Sequence, residues 1–123
     1  MNERKLIERY FQAMRTGAIA SDDIVDLFAE EAVYVEPFSG EPTAHVGRQA
    51  IRQSFIESQK NAPVDMTLTL DQVDVDSNCI RSVWTCTSPA IAEPMRGQDL
   101  WTIRDGEILR LETSFLQPEM DSD

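Results

Sequence analysis

The sequence predicts an α+β fold, with helices first and a strongly curved antiparallel sheet after them. Apolar residues recur at helical spacing near the N-terminus, whereas from Val64 onward they alternate with polar residues at the spacing of a strand. The alternation changes phase at Val73 and Val75, which is typical of a bulge or sharp bend in a long strand. Helices on one face of such a sheet leave a cavity between the two layers.

Three helices are predicted in the first half of the chain. The first has one apolar stripe, formed by Leu6, Ile7, Tyr10, Phe11 and Met14. Gly17 ends this helix, and Ser21 is placed to cap a short second one. The third helix is predicted from about Arg48 to Ser58, after a loop that Gly40, Pro42 and Gly47 indicate.

The strands complete the layout. A first strand, from Val33 to Glu36, precedes the loop, and everything after Ala62-Pro63 is predicted as strand. Ser77-Asn78 and Asp105-Gly106 have the composition of tight turns. The last three strands, predicted at 79–88, 95–104 and 107–115 with a loop at 89–94, should form an antiparallel meander.

Length and charge exclude several classes of function. The 123 residues predict one domain over residues 1–116, followed by a disordered tail at 117–123. Acidic residues outnumber basic ones 22 to 11, and no Lys/Arg cluster could neutralise a run of phosphates, so neither nucleic acid nor an anionic membrane is an expected partner.

With no long apolar segment, the protein is expected to be cytoplasmic. Cys79 and Cys86 are predicted to be unpaired thiols, and no metal-binding spacing is present.

Two acidic side chains point toward apolar surroundings. Glu36 lies at the end of an apolar strand that Pro37 terminates, because proline cannot donate to a sheet ladder. Asp99 shares a strand face with Trp101 and Ile103. Carboxylates so placed cost free energy unless they are paired or protonated, so the two acids predict a pocket with perturbed pKa values. Ordinary acids at the rim of a domain are the alternative.

The order helix, helix, strand, helix and four strands resembles the NTF2-like superfamily, which has a cystatin-like cone fold, over nearly the whole chain. Within that superfamily the sequence is similar to SnoaL-like proteins and most closely to the bacterial steroid Δ5-isomerases, the ketosteroid isomerases. The similar segments are residues 24–32, Glu36-Pro37-Phe38, Pro42, His45 and Gly47-Arg48. The resemblance implies a cofactor-free enzyme acting on a small apolar ligand, and a homodimer.

The resemblance also implies catalytic roles for three residues. Tyr10, in an Arg-Tyr dipeptide before Gly17, corresponds to the tyrosine of the isomerases' oxyanion hole. Glu36 corresponds to their general base, and Asp99 to the protonated aspartate that donates to the enolate oxygen. In the ketosteroid isomerases an apolar site keeps that aspartate neutral, so this role for Asp99 is implied by the family alone.

Two departures from the isomerases bear on substrate choice. The base is usually aspartate there, and glutamate moves the carboxylate by about 1 Å, a displacement that affects rates strongly. Further tyrosines that support the oxyanion hole in one branch correspond here to Phe28 and Phe55. A substrate of different geometry is therefore expected.

Aromatic side chains are the expected walls of the ligand site. The residues assigned to substrate binding are Phe38, Phe55, Trp84, Trp101 and Phe115. Among them, Trp84 is more typical of core packing, whereas Trp101 and Phe115 favour a ligand wall. His45, the single histidine, is interpreted as a hydrogen-bond partner in a loop.

Three alternatives remain open. A polyketide-cyclase-like enzyme would keep Asp99 as its acid and base, whereas an epoxide hydrolase is disfavoured because residue 97 is glycine where that branch has arginine. A non-catalytic module could bind a ligand or form a dimer. The residues predicted on the outer face of the sheet, available for such a dimer, are Val83, Thr85, Thr87, Leu100 and Thr102.

Overall fold

A computed structural model describes residues 3–38, 40–76 and 80–116 of the chain. Its helices are α1 (Glu3–Thr16), α2 (Asp22–Val25) and α3 (Arg48–Lys60). Its strands are β1 (Phe28–Glu36), β2 (Thr43–Val46), β3 (Thr67–Val75), β4 (Ile80–Thr87), β5 (Met95–Arg104) and β6 (Glu107–Phe115). The predicted turn at Ser77-Asn78, Cys79 and the predicted disordered tail lie outside the described residues.

The predicted α+β class is confirmed: three helices accompany a curved six-stranded sheet that does not close. The strand order is β2-β1-β6-β5-β4-β3, and the predicted β4-β5-β6 meander is present. One pair differs from the antiparallel expectation, because β1 pairs with β6 in parallel. Parallel pairing requires a long crossover, and here the whole chain between β1 and β6 provides it.

The predicted change of phase in β3 is confirmed as an irregularity between Leu70 and Gln72. Leu68 and Leu70 pair with the inward-facing Cys86 and Trp84. Because β3 contains one additional residue after Leu70, Val73 lies on the same inward face, opposite Ser82. Extra residues of this kind bend a strand and increase its twist. The bend curves the sheet around the space under the helices.

Helix α1 follows its apolar stripe. Four of its five members are buried and Met14 is partly buried, and the helix stops before Gly17, whose φ of +81° suits glycine. Arg15 at the end of the helix donates from Nε to the carbonyl oxygen of Leu68, 2.9 Å away. The helix is thereby tied to the sheet edge at β3.

One strand boundary, one additional strand and one cap differ from the sequence predictions. Strand β1 begins at Phe28 rather than Val33, because Phe28 pairs with Ile108 of β6. The predicted loop before α3 contains strand β2, whose short and partly polar sequence is held by pairing with β1. Ser21 occupies the N-cap position of α2, but its side chain makes no capping hydrogen bond.

Gly97 permits the close packing of β4 and β5. A Cβ at this position would lie only 2.1 Å from Cζ2 of Trp84, whose residue pairs with Gly97 across the two strands. The glycine therefore admits the indole ring onto the inner face of the sheet, and an arginine could not occupy this position without displacing it.

Replacing Gly97 by alanine is expected to lower the free energy of unfolding by about 1–3 kcal/mol, the usual cost of overpacking. Urea denaturation measures this change. The same substitution in a Trp84→Phe background is the control, since the smaller ring should relieve most of the clash. Equal costs in both backgrounds would contradict the assignment of the clash to Trp84.

Candidate functional site

A cavity of about 610 Å³ lies between α1, α3 and the inner face of the sheet. Much of its wall is apolar, with contributions from Met14, Ile19, Phe55, Met66, Leu68 and Met95. Polar side chains line it in two groups: α3 and the residue after it contribute Gln53, Ser54, Glu57, Ser58, Gln59 and Asn61, and the sheet and α1 contribute Tyr10, Tyr34, Glu36, His45, Asp99 and Thr113. An apolar chamber with a few convergent polar groups is typical of a small-molecule site.

Glu36 is 4% exposed at the last position of β1. The chain turns at Pro37, so that the backbone N–H of Phe38 donates to Oε1 of Glu36 at 2.6 Å. Nε2 of His45 lies 3.0 Å from Oε2. Both carboxyl oxygens are thus oriented, which holds the group in one geometry at the wall of the cavity.

His45 connects Glu36 to the outside of the protein. It lies on β2, opposite Tyr34 of β1, and its ring stacks on the Tyr34 ring with centroids 6.1 Å apart. The His45 side chain is 24% exposed, whereas that of Glu36 is 5% exposed. The predicted hydrogen-bonding role is therefore present, but in a strand and with Glu36 as the partner.

Asp99 is 2% exposed and is hydrogen-bonded on both oxygens. Thr113 Oγ1 donates to Oδ1 and Ser82 Oγ donates to Oδ2, each at 2.7 Å. Burial raises the pKa of Asp99 to about 6, and hydrogen bonds from Thr113, Ser82 and Trp84 oppose that rise. Asp99 can therefore change its protonation state near neutral pH.

Two tyrosine hydroxyls share the Asp99 end of the cavity. Burial raises the pKa of Tyr10 and of Tyr34 well above the ordinary value, and the charge of Asp99 adds to both shifts. The two hydroxyls also interact with one another. Both side chains therefore remain neutral hydrogen-bond donors over the physiological range.

Tyr34 is the residue of this group that sequence reasoning missed. Its signal was present, because it precedes Glu36 by two positions and strand alternation places both on one face. Tyr10, Glu36 and Asp99, predicted from three separate segments, all line the same cavity. Ser82 and Thr113 gave no sequence signal, since their roles depend on being cross-strand partners of Asp99.

The aromatic residues divide differently from their predicted roles. Phe38, Phe55 and Trp84 line the cavity, whereas Trp101 and Phe115 are not among its lining residues. Trp101 is buried against the edge of Tyr10, with ring centroids 5.1 Å apart. Phe115 packs against Phe38 and Trp84 and stays 40% exposed. The alternation of β4 and β5 turns both tryptophans inward, but Tyr10 of α1 packs against Trp101, whereas Trp84 lines the cavity.

The described residues hold few groups suited to metal or thiol chemistry. They contain no group of three or more His, Cys, Asp and Glu side chains arranged to hold a metal ion. Cys86 is a buried free thiol on the cavity wall, and burial raises its pKa. None of the helices in the described part of the chain is long and apolar enough to cross a membrane.

The fold and the cavity define a class of protein: a cone-shaped α+β domain that encloses a chamber between helices and a curved sheet. The family model of the SnoaL-like domain matches residues 7–111. The chain therefore belongs to the SnoaL-like family, within the NTF2-like superfamily that the sequence predicted. No curated protein matches the sequence significantly.

Solved structures show the same fold at low identity. A candidate polyketide cyclase from Sinorhizobium meliloti is 24% identical with a TM-score of 0.74, covering 89% of this chain and 94% of that one. A candidate ketosteroid isomerase from Kribbella flavida is 20% identical with a TM-score of 0.72, and the match covers 98% of this chain and 82% of that one. An NTF2-like protein of unknown function from Burkholderia pseudomallei is 16% identical with a TM-score of 0.75, and the match covers 94% of this chain and 91% of that one.

The raised pKa of Asp99 predicts a characteristic pH dependence of stability. The folded protein holds the Asp99 proton up to about pH 6, whereas the unfolded chain loses it near pH 4, so the stabilisation by this proton is full at low pH and is lost as pH rises through 6. Relative to Asp99→Asn, the wild type should lose roughly 2–3 kcal/mol of unfolding free energy between pH 4 and 7. Urea denaturation of both proteins across this range measures the difference. A difference that is constant with pH would contradict the assignment.

Proposed function

We propose that this protein catalyses cofactor-free proton transfer α to a carbonyl group, leading to isomerisation or cyclisation of a small apolar compound. The observation that carries the proposal is the presence of an oriented carboxyl group, Glu36, and hydroxyl donors, Tyr10 and Tyr34, on one largely apolar cavity. Such a reaction needs a base for the carbon-bound proton and donors for the oxygen on which charge develops.

Glu36 is the proposed general base. The Phe38 amide and His45 hold its two oxygens, so the carboxylate has little freedom to turn away from a substrate. A fixed base gains rate because the reacting atoms are already close and aligned. His45 has the role of a positioning residue in this proposal.

Tyr10, Tyr34 and neutral Asp99 are the proposed donors to the substrate oxygen. The raised pKa values of the tyrosines keep their protons in place, and burial strengthens their hydrogen bonds to a developing negative charge. Tyr34 restores part of the hydroxyl network that Phe28 and Phe55 do not supply. Phe28 is fully buried against Phe55, at 5.9 Å between ring centroids.

A second candidate function assigns the acid and base roles to Asp99, as in a polyketide-cyclase-like reaction. The pKa of about 6 favours it, because a group that titrates near the working pH can both accept and return a proton. A non-catalytic ligand-binding module remains the third candidate. The two enzymatic candidates differ in which carboxyl group the reaction requires.

Exchange of α-protons tests the proposal without knowledge of the natural substrate. A bicyclic ketone such as 2-tetralone in D₂O should exchange its α-protons faster with the protein than in buffer, and NMR measures the rate. Glu36→Gln should lower the catalysed rate by about 100-fold or more, because it removes the base and keeps the shape. Glu31→Gln, an exposed substitution on the same strand, is the matched control.

Each outcome of this experiment selects one candidate. Loss of exchange in Glu36→Gln but not in Glu31→Gln supports Glu36 as the base. Loss in Asp99→Asn with full activity in Glu36→Gln supports the cyclase-like reaction. No catalysed exchange by the wild type would favour the non-catalytic module.

The proposal includes a cytoplasmic homodimer formed through the outer face of the sheet. Leu100 is 38% exposed there, between its cross-strand neighbours Arg81 and Glu112, whereas Val83 is already buried within the chain. A second copy would cover Leu100 and could place Arg81 near the partner's Glu112.

Sedimentation velocity tests the dimer. The apparent mass of the wild type should be twice that of the chain. Leu100→Glu should sediment as a monomer, because burying an unpaired carboxylate in the interface would destabilise the dimer. Thr102→Glu, on the same strand face, shows how far the contact extends. A monomeric wild type at high protein concentration would rule out the dimer.

A further inference from the structure

A hydrogen-bonded chain of four side chains crosses the three strands β4, β5 and β6. Trp101 Nε1 donates to Ser82 Oγ at 2.9 Å, and Ser82 and Thr113 contact the two oxygens of Asp99. Asp99 pairs directly with Ser82 on one side and with Thr113 on the other. The register of the sheet therefore holds the whole chain in place.

The direction of the hydrogen bonds follows from the donors. The indole Nε1–H can only donate, so the Ser82 oxygen accepts from Trp101. Ser82 is fully buried, and Asp99 is the side-chain acceptor within reach of its proton in the described part of the chain. A buried hydroxyl proton without an acceptor would be costly, so Ser82 donates to Oδ2.

The two sides of the Asp99 carboxyl group face different surroundings. Asp99 and Thr113 line the cavity, whereas Ser82 and Trp101 are buried and are not among its lining residues. Oδ2 therefore points toward the buried pair, and Oδ1 lies on the side of Thr113 and the cavity.

We propose that Trp101 and Ser82 are a positioning pair that restricts proton uptake and release by Asp99 to Oδ1, on the cavity side. When Asp99 is ionised, Thr113 donates to Oδ1. When Asp99 is neutral, the Oδ1 proton is directed at Thr113 or at the oxygen of a ligand. Only the contact with a ligand rests on the proposed function.

Other titratable groups line the same cavity as Asp99. Tyr10 lies on α1, Tyr34 and Glu36 on β1, His45 on β2, Glu57 on α3 and Cys86 on β4. The tyrosines stay neutral below pH 9 because their pKa values are raised. Glu36→Gln and His45→Gln backgrounds therefore separate the titration of Asp99 from that of its neighbours.

The chain contains two tryptophans, so indole ¹H–¹⁵N NMR provides a direct test. Trp84→Phe assigns the two signals. In the wild type, the Trp101 signal should shift with a midpoint near pH 6, because ionisation of Asp99 strengthens the Ser82 hydrogen bond and so polarises the indole N–H. Asp99→Asn should abolish this shift, and it should persist in the Glu36→Gln and His45→Gln backgrounds.

Ser82→Ala and Thr113→Val are matched removals of the two hydroxyl donors. Ser82→Ala should remove most of the pH-dependent shift of Trp101, and the midpoint seen at Trp84 should rise by about one pH unit, since the carboxylate loses a donor. Thr113→Val should raise the midpoint similarly but leave the Trp101 shift in place. A full Trp101 shift in Ser82→Ala would overturn the proposal.

The wild-type titration is decisive even if Ser82→Ala does not fold. A Trp101 signal that stays constant while the Trp84 signal shifts would overturn the positioning pair, as would the absence of any shift in both signals.

Binding of 2-naphthol, an enolate mimic, tests the ligand contact separately. The proposal predicts at least fivefold weaker binding in Asp99→Ala, which removes the Oδ1 proton, whereas Thr113→Val keeps that proton and should not weaken binding. If 2-naphthol does not bind but the indole shifts follow the prediction, the proposed function fails and the positioning pair stands.

Discussion

Burial of the Asp99 carboxyl group on the inner face of the sheet is the constraint on which the site depends. At 2% exposure, a carboxyl group without partners would be strongly destabilising. Neighbouring strands supply its donors, Ser82 from β4 and Thr113 from β6. Packing and electrostatics are coupled here, because Gly97 admits the Trp84 indole that also hydrogen-bonds Asp99. A change in any of these contacts therefore alters both the shape of the cavity and the charge within it.

The parallel pairing of β1 with β6 brings the second half of the site to this carboxyl group. Tyr34 lies opposite Leu111, two positions before Thr113 on the same face of β6. Glu36 follows on β1, and β2 adds His45 beside it. The cavity therefore carries two sets of polar groups: hydroxyl and indole donors around Asp99, and a carboxyl group held by an amide and an imidazole. These two sets suit a reaction in which a proton leaves carbon while charge develops on oxygen.

Local patterns in the sequence were sufficient to predict most of the fold, whereas the catalytic candidates also required the resemblance to the isomerases. The α1 stripe, the bend in β3 and the inward direction of Asp99 all follow from the periodicity of neighbouring residues. Strand β2, the early start of β1 and the parallel pair could not be predicted this way, because each depends on a partner distant in sequence. The same limit applies within the site: the partners of Asp99 and Glu36 are set by strand register. Trp84 and Trp101 illustrate it best, since both alternate inward and only Trp101 packs against Tyr10 of the distant helix α1.

The two carboxyl groups of the cavity differ in the donors that surround them, and this difference can divide the chemical roles. Glu36 is held by a backbone amide and by a histidine that reaches solvent. Asp99 lies among buried hydroxyl and indole groups, and its pKa of about 6 shows that burial outweighs them. Different sets of donors around two acids in one cavity allow the acids to take different roles. Because the Asp99 pKa lies close to neutrality, its proton can be kept or released in response to a ligand. A ligand that carries an oxyanion stabilises the neutral form of Asp99, and a ligand that donates a hydroxyl proton stabilises the carboxylate. The same cavity can therefore distinguish ligands by the protonation state of the ligand oxygen that contacts Asp99.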